Sequence, residues 1–261
     1  MKKTVTKLIA GALCSLAFVP SLSFADEGMW VLSMLSKQSQ KQMKELGLKL
    51  SAKELYNPNG PSFKDAIVCF GGFCSGVVVS PDGLVFTNHH CGYGSVQEHS
   101  SPEHDYLRDG FVARSFEEEL PNPDLYVSFL VRTEDVTKRI KAELSDDMGL
   151  ARRQHVVDSI SHVIEEEAVA DNKLLRAEVA SYYQGNEFYL SVYKDYKDVR
   201  LVYAPPSSLG KLGGDTDNWM WPRHTCDFSV FRIYADANNE PAEYSPENRP
   251  YKASAYAPVS L

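Results

Sequence analysis

Between Cys74 and Cys91 the chain runs through "CSGVVVS", a Pro81-Asp82-Gly83 turn and "LVFTN" before it reaches His89, His90 and Cys91. β-branched residues on either side of Pro-Asp-Gly favour strands, since they pack well on a pleated surface while glycine supplies the positive φ that closes the turn. This predicts a β-hairpin ending in a pair of histidines. "AIVCF" immediately upstream reads as a further short strand. A chain committed to strand pairing here must build a sheet around it.

The rest of the sequence fits around that commitment. From Asp26 to about Leu55 the spacing of Leu32, Met34, Leu35, Met43, Leu46 and Leu48 predicts a helical arm, up to the breaker Asn57-Pro58-Asn59-Gly60. "LYVSFLVRT" predicts a strand over Leu125–Thr133. From Val136 to Tyr183 the period becomes helical, with Val156, Ile160, Val163 and Ile164 on one stripe and interruptions at Gly149 and Asp171-Asn172. Strand signals return in "EFYLSVY", "VRLVY" and "CDFSVFRIY". The fold class read from this order is mainly β with inserted helices (α+β): an arm over residues 26–60, then a β domain over 61–261 with a helical insertion at about 136–183. The closing "SAYAPVSL" reads as the opening of a strand, so the chain is expected to stop inside a domain. No internal repeat or low-complexity tract interrupts it.

Residues 1–25 stand apart. Lys2, Lys3 and Lys7 precede an apolar run from Leu8 to about Pro20, and Ser23-Phe24-Ala25 offers a small-x-small cleavage site. This predicts a cleaved secretory leader and an exported protein, in the periplasm or at the cell surface. The apolar run is shorter than the roughly 20 residues of a membrane span, and Leu13 before Cys14 argues against lipid attachment. A formal net charge of -8 without a basic run excludes the usual nucleic-acid footprint. Of the 5 cysteines, cleavage leaves Cys69, Cys74, Cys91 and Cys226 in an oxidising compartment, where two disulfides are expected with the pairing open.

His89 and His90 admit three readings. With Cys91, His99 and His104 they have zinc-binding chemistry, but adjacent side chains diverge and neither H-E-x-x-H nor C-x-x-C accompanies them; no metal and no cofactor is expected. They could merely cap a strand. Or one could be a catalytic base, which requires a carboxylate further along the chain to fix its tautomer. "GGDTDNWMWPRHTCDFSVFRIY" supplies one in Asp227, at the start of a strand.

The hairpin followed by Thr87-Asn88-His89-His90-Cys91 resembles the segment of chymotrypsin-like serine peptidases that presents the base. "GGFCSGVVVSPDGLVFTNHHCGYGSVQ" and "LGKLGGDTDNWMWPRHTCDFSVFRIY" together resemble the S46 dipeptidyl peptidases, exported bacterial serine exopeptidases. The resemblance covers essentially the whole mature chain. It implies the N-terminal β-barrel of a chymotrypsin-like (trypsin-like, PA-clan) fold, and removal of dipeptides from the free N-terminus of peptides. It places the base on His90, with His89 second, and the acid on Asp227. It places the substrate's α-ammonium on Asn218 and Trp219, an amide oxygen and an indole face suited to a cation. It also implies a Cys74–Cys91 disulfide, which leaves Cys69 and Cys226 as an expected second pair. The nucleophile belongs to a Gly-x-Ser-Gly-like segment that this sequence lacks; Ser75 and Ser95 do not match it. The expectation is therefore a truncated chain without its second barrel and large helical domain, inactive alone, from an enzyme whose resemblance points to a dimer. The alternative is a non-catalytic exported protein that binds peptide N-termini.

Overall fold

The computed structural model describes Leu32, Leu35 and residues 37–214 and 224–259. The expected leader and part of the expected arm, as well as Asn218 and Trp219, lie outside the described residues. The described part of the arm holds two short helices, α1 (Lys37–Glu45) and α2 (Ala52–Leu55), joined by a non-helical stretch over residues 46–51. Ser51 caps α2 in a reciprocal capping box with Glu54.

Among the described residues eleven strands form a single sheet: β1 (Ile67–Phe70), β2 (Cys74–Val78), β3 (Leu84–Thr87), β4 (Phe111–Val112), β5 (Leu120–Pro121), β6 (Val127–Asp135), β7 (Leu175–Tyr182), β8 (Glu187–Tyr196), β9 (Asp198–Ala204), β10 (Ser229–Ala235) and β11 (Arg249–Pro250). The order along the main path is β4-β9-β10-β3-β2-β1-β6-β8-β7, with β5 on β9 and β11 on β10. Every pairing is antiparallel.

The predicted hairpin is β2–β3, with Val78 opposite Val85. Its turn is held by Ser80 Oγ, which accepts from the backbone N–H of Leu84 at 3.1 Å. Gly83 has φ +67°, and a Cβ there would lie 2.9 Å from the carbonyl oxygen of Ile233; both the left-handed backbone and the close approach of β10 demand glycine.

The sheet rolls so that its two flanks face one another. Val127 and Phe129 of β6 share a core with Val199 and Leu201 of β9, with four strands between them along the path, and Phe70, Val85, Phe231 and Ile233 fill the space between. Alternation sets this inner face: Val68 and Phe70 are buried while Ile67 is exposed. Beyond this barrel-like roll, β8 and β7 carry the sheet outward. There Phe188, Leu190 and Val192 meet Ile140 of α5 (Thr137–Lys141) and Ile164 of α6 (Leu150–Val169) in a second core.

Four expectations change. The helical insertion ends at Val169, and 175–182 is the strand β7, whose Leu175, Ala177 and Val179 alternate onto the second core. Pairing with β8 along its whole length outweighs the local helical spacing. Within α6, Ile160 and Ile164 face the core, whereas Val163 is exposed. The hairpin does not end at the histidines: the chain turns at once into α3 (His89–Glu98). Finally, residues 254–259 contain no strand, although Ala257 N–H donates to Val78 O at 2.9 Å. Two short helices, α4 (Tyr106–Asp109) and α7 (Ser207–Gly210), complete the described elements used below.

Candidate active site

The β3–β10 ladder decides where the site lies. Thr87 stands opposite Ser229 in antiparallel register. The chain leaving β3 therefore exits at the same end of the sheet at which the chain enters β10, so residues 88–90 meet residues 226–228. Asp227 is brought to His90 across 137 positions of sequence.

His90 Nδ1 lies 3.1 Å from Asp227 Oδ2 and 3.3 Å from Oδ1. The carboxylate also accepts from the His90 backbone N–H at 3.3 Å and from Asn88 Nδ2 at 3.1 Å. The imidazole is 62% exposed and the carboxylate 15%. Among the described residues nothing bonds His90 Nε2. A ring whose Nδ1 faces a carboxylate carries its proton there, which leaves Nε2 as a basic nitrogen directed away from the acid.

Helix α3 is a poor helix by composition, with Gly92 and Gly94 among ten residues, each costing about 1 kcal/mol relative to alanine. Tertiary contacts hold it. Cys91 is joined to Cys74 at the start of β2, with a Cα–Cα distance of 6.2 Å. Gly92 lies flat on β10, where a Cβ would sit 3.0 Å from the Phe231 ring. Thr87 Oγ1 donates to Ser75 O at 2.9 Å, tying the end of β3 to β2.

The two histidines separate as successive residues on a helix must. His89 turns inward, 2% exposed, with both ring nitrogens unpartnered among the described residues. Its ring lies against Gly210 at the end of α7 and edge-on to Tyr93, at a centroid distance of 6.2 Å. Burial pushes its pKa below the usual imidazole value, His90 acts in the same direction and Asp227 opposes them. Cys226 N–H donates to Leu209 O at 2.9 Å, pinning α7 to the approach to β10.

The other predicted residues fall as follows. Cys74 and Cys91 are bonded, but Cys69 and Cys226 are both free, the first half-buried and the second exposed. Cys69 sits on β1 and Cys226 just before β10; β2 and β3 intervene, and three strand spacings of about 4.8 Å exceed the roughly 7 Å Cα reach of a disulfide. The expected second pair is therefore corrected. His99 bonds Asn122 Oδ1 at 3.2 Å and His104 stacks on Tyr106, so neither joins a metal-binding group. One cluster of potential ligands occurs among the described residues, Cys74, His90 and Cys91, and its two sulfurs are bonded to each other rather than available as thiolates. Asn88 and Gly210 had no role in the sequence reading. Both stand inside recognised segments, yet their partners come from other parts of the chain, and no local signal announces them.

Comparison with known proteins matches residues 25–261 to the model of the Peptidase S46 family. The chain is 51% identical over 255 residues to a dipeptidyl-peptidase 7 of Porphyromonas endodontalis, covering 98% of this chain and 31% of that protein. It is 47% identical over 266 residues to an Asp/Glu-specific dipeptidyl-peptidase of Porphyromonas gingivalis, covering all of this chain and 36% of the relative. The crystal structure of Porphyromonas endodontalis DPP11 in complex with the dipeptide Arg-Asp superposes with a TM-score of 0.82 at 47% identity, over 89% of this chain and 34% of that one. The chain thus spans about a third of the length of these relatives.

Proposed function

The chain belongs to the Peptidase S46 family, and from that premise we propose that it supplies the base and acid of a serine-type dipeptidyl peptidase whose nucleophile lies in a part of the protein outside these 261 residues. His90 Nε2 takes the proton of the serine hydroxyl and returns it to the leaving amine. Asp227 accepts from Nδ1–H, fixing the tautomer and stabilising the imidazolium that forms. Asn218 and Trp219 receive the α-ammonium of the peptide, and anchoring that terminus at a set distance from the nucleophile restricts cleavage to dipeptides. Residues 1–25 direct export. Alone, the 261-residue chain forms no acyl-enzyme.

The observation that carries this reading is the 3.1 Å contact between His90 Nδ1 and Asp227 Oδ2, made by residues 137 positions apart. The exposed Nε2 edge, without a partner among the described residues, supports it, because a base waiting for an incoming hydroxyl must keep that nitrogen accessible. A relative named dipeptidyl-peptidase 7 and one named Asp/Glu-specific dipeptidyl-peptidase match this span at 51% and 47% identity, consistent with a segment that carries chemistry common to both.

The test is turnover of dipeptidyl amide substrates by the full-length protein. Asp227→Asn should lower kcat by about 10⁴-fold by forcing the wrong tautomer, and His90→Ala should abolish the acyl-enzyme burst. Peptide binding without turnover in the unmutated full-length protein would replace this reading with that of a binding protein.

A further inference from the structure

Asn88 occupies the N-cap of α3, where an asparagine oxygen ordinarily accepts a backbone N–H of the first turn. It makes no such bond. Its Nδ2 donates instead to Asp227 Oδ2 at 3.1 Å and to Asp227 O at 3.3 Å. Both partners can only accept, so the amide orientation is forced. The cap that Asn88 leaves unfilled is provided across the sheet: Asp227 Oδ1 accepts the backbone N–H of His90, in the first turn of α3. A carboxylate at that point also faces the positive end of the helix.

We propose that Asn88 is a positioning residue. Its carboxamide locks Asp227 in the rotamer that meets His90 Nδ1, and the carboxylate so held closes the first turn of the helix that bears the base. The proposal rests on the reading of His90 and Asp227 as base and acid. One acidic side chain thereby serves two ends, tautomer control and helix capping, and both depend on the amide of Asn88. Without the amide, Asp227 keeps its contacts with the His90 backbone N–H and Nδ1 but loses the bonds that anchor it to the end of β3.

Asn88→Asp and Asn88→Ala in the full-length protein separate this role from ordinary capping. Aspartate caps a helix as well as asparagine does, but it has no N–H to donate and repels Asp227. If Asn88 served only the helix, Asn88→Asp would be silent. The expected result is a fall in kcat of about tenfold or more in both variants with KM unchanged, the size of one hydrogen bond to a charged group. A readout independent of turnover is the protected low-field Nδ1–H resonance of His90 in histidine-labelled protein. It should be present in the unmutated protein and lost in both variants. Should Asn88→Asp fail to fold, Asn88→Ser keeps a capping hydroxyl that is too short to reach Asp227, and takes its place. If the resonance persists in folded variants, the proposal is overturned whatever the turnover. If it is lost while the unmutated protein proves to have no peptidase activity, the positioning role stands and the catalytic reading falls.

Discussion

Gly210→Ala isolates the packing that supports the histidine pair. A Cβ at Gly210 would stand 2.4 Å from His89 Cδ2, 2.6 Å from Cγ and 2.8 Å from Nε2, against an optimum of about 3.5–4.0 Å between carbon atoms. His89 is 2% exposed, and its Cγ is tied to the helix backbone through one carbon, so the ring has no free direction in which to move. The glycine is not in the left-handed region. Its replacement would otherwise stabilise the fold by about 0.4–1 kcal/mol through the unfolded state. Overpacking costs about 1–3 kcal/mol, so at the middle of both ranges the clash wins by about 1–2 kcal/mol. At about 2–4 °C per kcal/mol for a chain of this size, that is a melting temperature lower by roughly 2–8 °C. His89→Ala removes the obstructing ring, and in that background Gly210→Ala should turn from destabilising to stabilising. Urea unfolding of the four proteins of the double-mutant cycle, followed by circular dichroism, should give a coupling well above the roughly 0.3–0.5 kcal/mol of independent sites. If Gly210→Ala is at least as stable as the unmutated chain, or costs the same in both backgrounds, the packing argument is wrong.

Three more predictions concern the same corner of the sheet. The Cys74–Cys91 bridge joins cysteines at a sequence separation of 17, so Cys74→Ser with Cys91→Ser should cost about 3 kcal/mol in urea unfolding. In the unmutated chain, alkylation without reductant should label Cys226 faster than the half-buried Cys69 and leave Cys74 and Cys91 unlabelled. The pH dependence follows from His89, whose folded pKa lies below its unfolded value because burial disfavours the charged ring. The unfolded chain binds that proton more readily, so the contribution to stability is complete above the ordinary imidazole value of about 6.5 and is lost as pH falls toward the lower folded value. Urea midpoints from about pH 8 to about pH 5 should decline less in His89→Phe, which cannot titrate, than in the unmutated chain; equal slopes would exclude the effect.

The strands were legible because their signals are local. β-branched runs, the Pro81-Asp82-Gly83 turn and the alternation around Val68 and Phe70 each need only neighbouring residues to be recognised. Local period misled at Leu175–Tyr182, where pairing with β8 decides the conformation. It also missed α3, whose two glycines hide a helix that a disulfide and the face of β10 hold in place. Cysteine counting found four cysteines after the expected leader but mispaired two of them, since the reach of a disulfide is a distance in space and not a remainder after subtraction.

By itself the amino-acid order determined the residue types of the site: an imidazole beside a cysteine, a carboxylate at the head of a later strand, and the hairpin that presents the first of them. Only the tertiary structure decided which histidine faces that carboxylate, because two consecutive helical residues point in different directions and Gly210 admits His89 to the interior while His90 is left outside. It alone brought Asn88 to Asp227. The register of β3 on β10 sets that meeting, and register is a property of the assembled sheet, in which a one-residue slip would send every side chain to the opposite face.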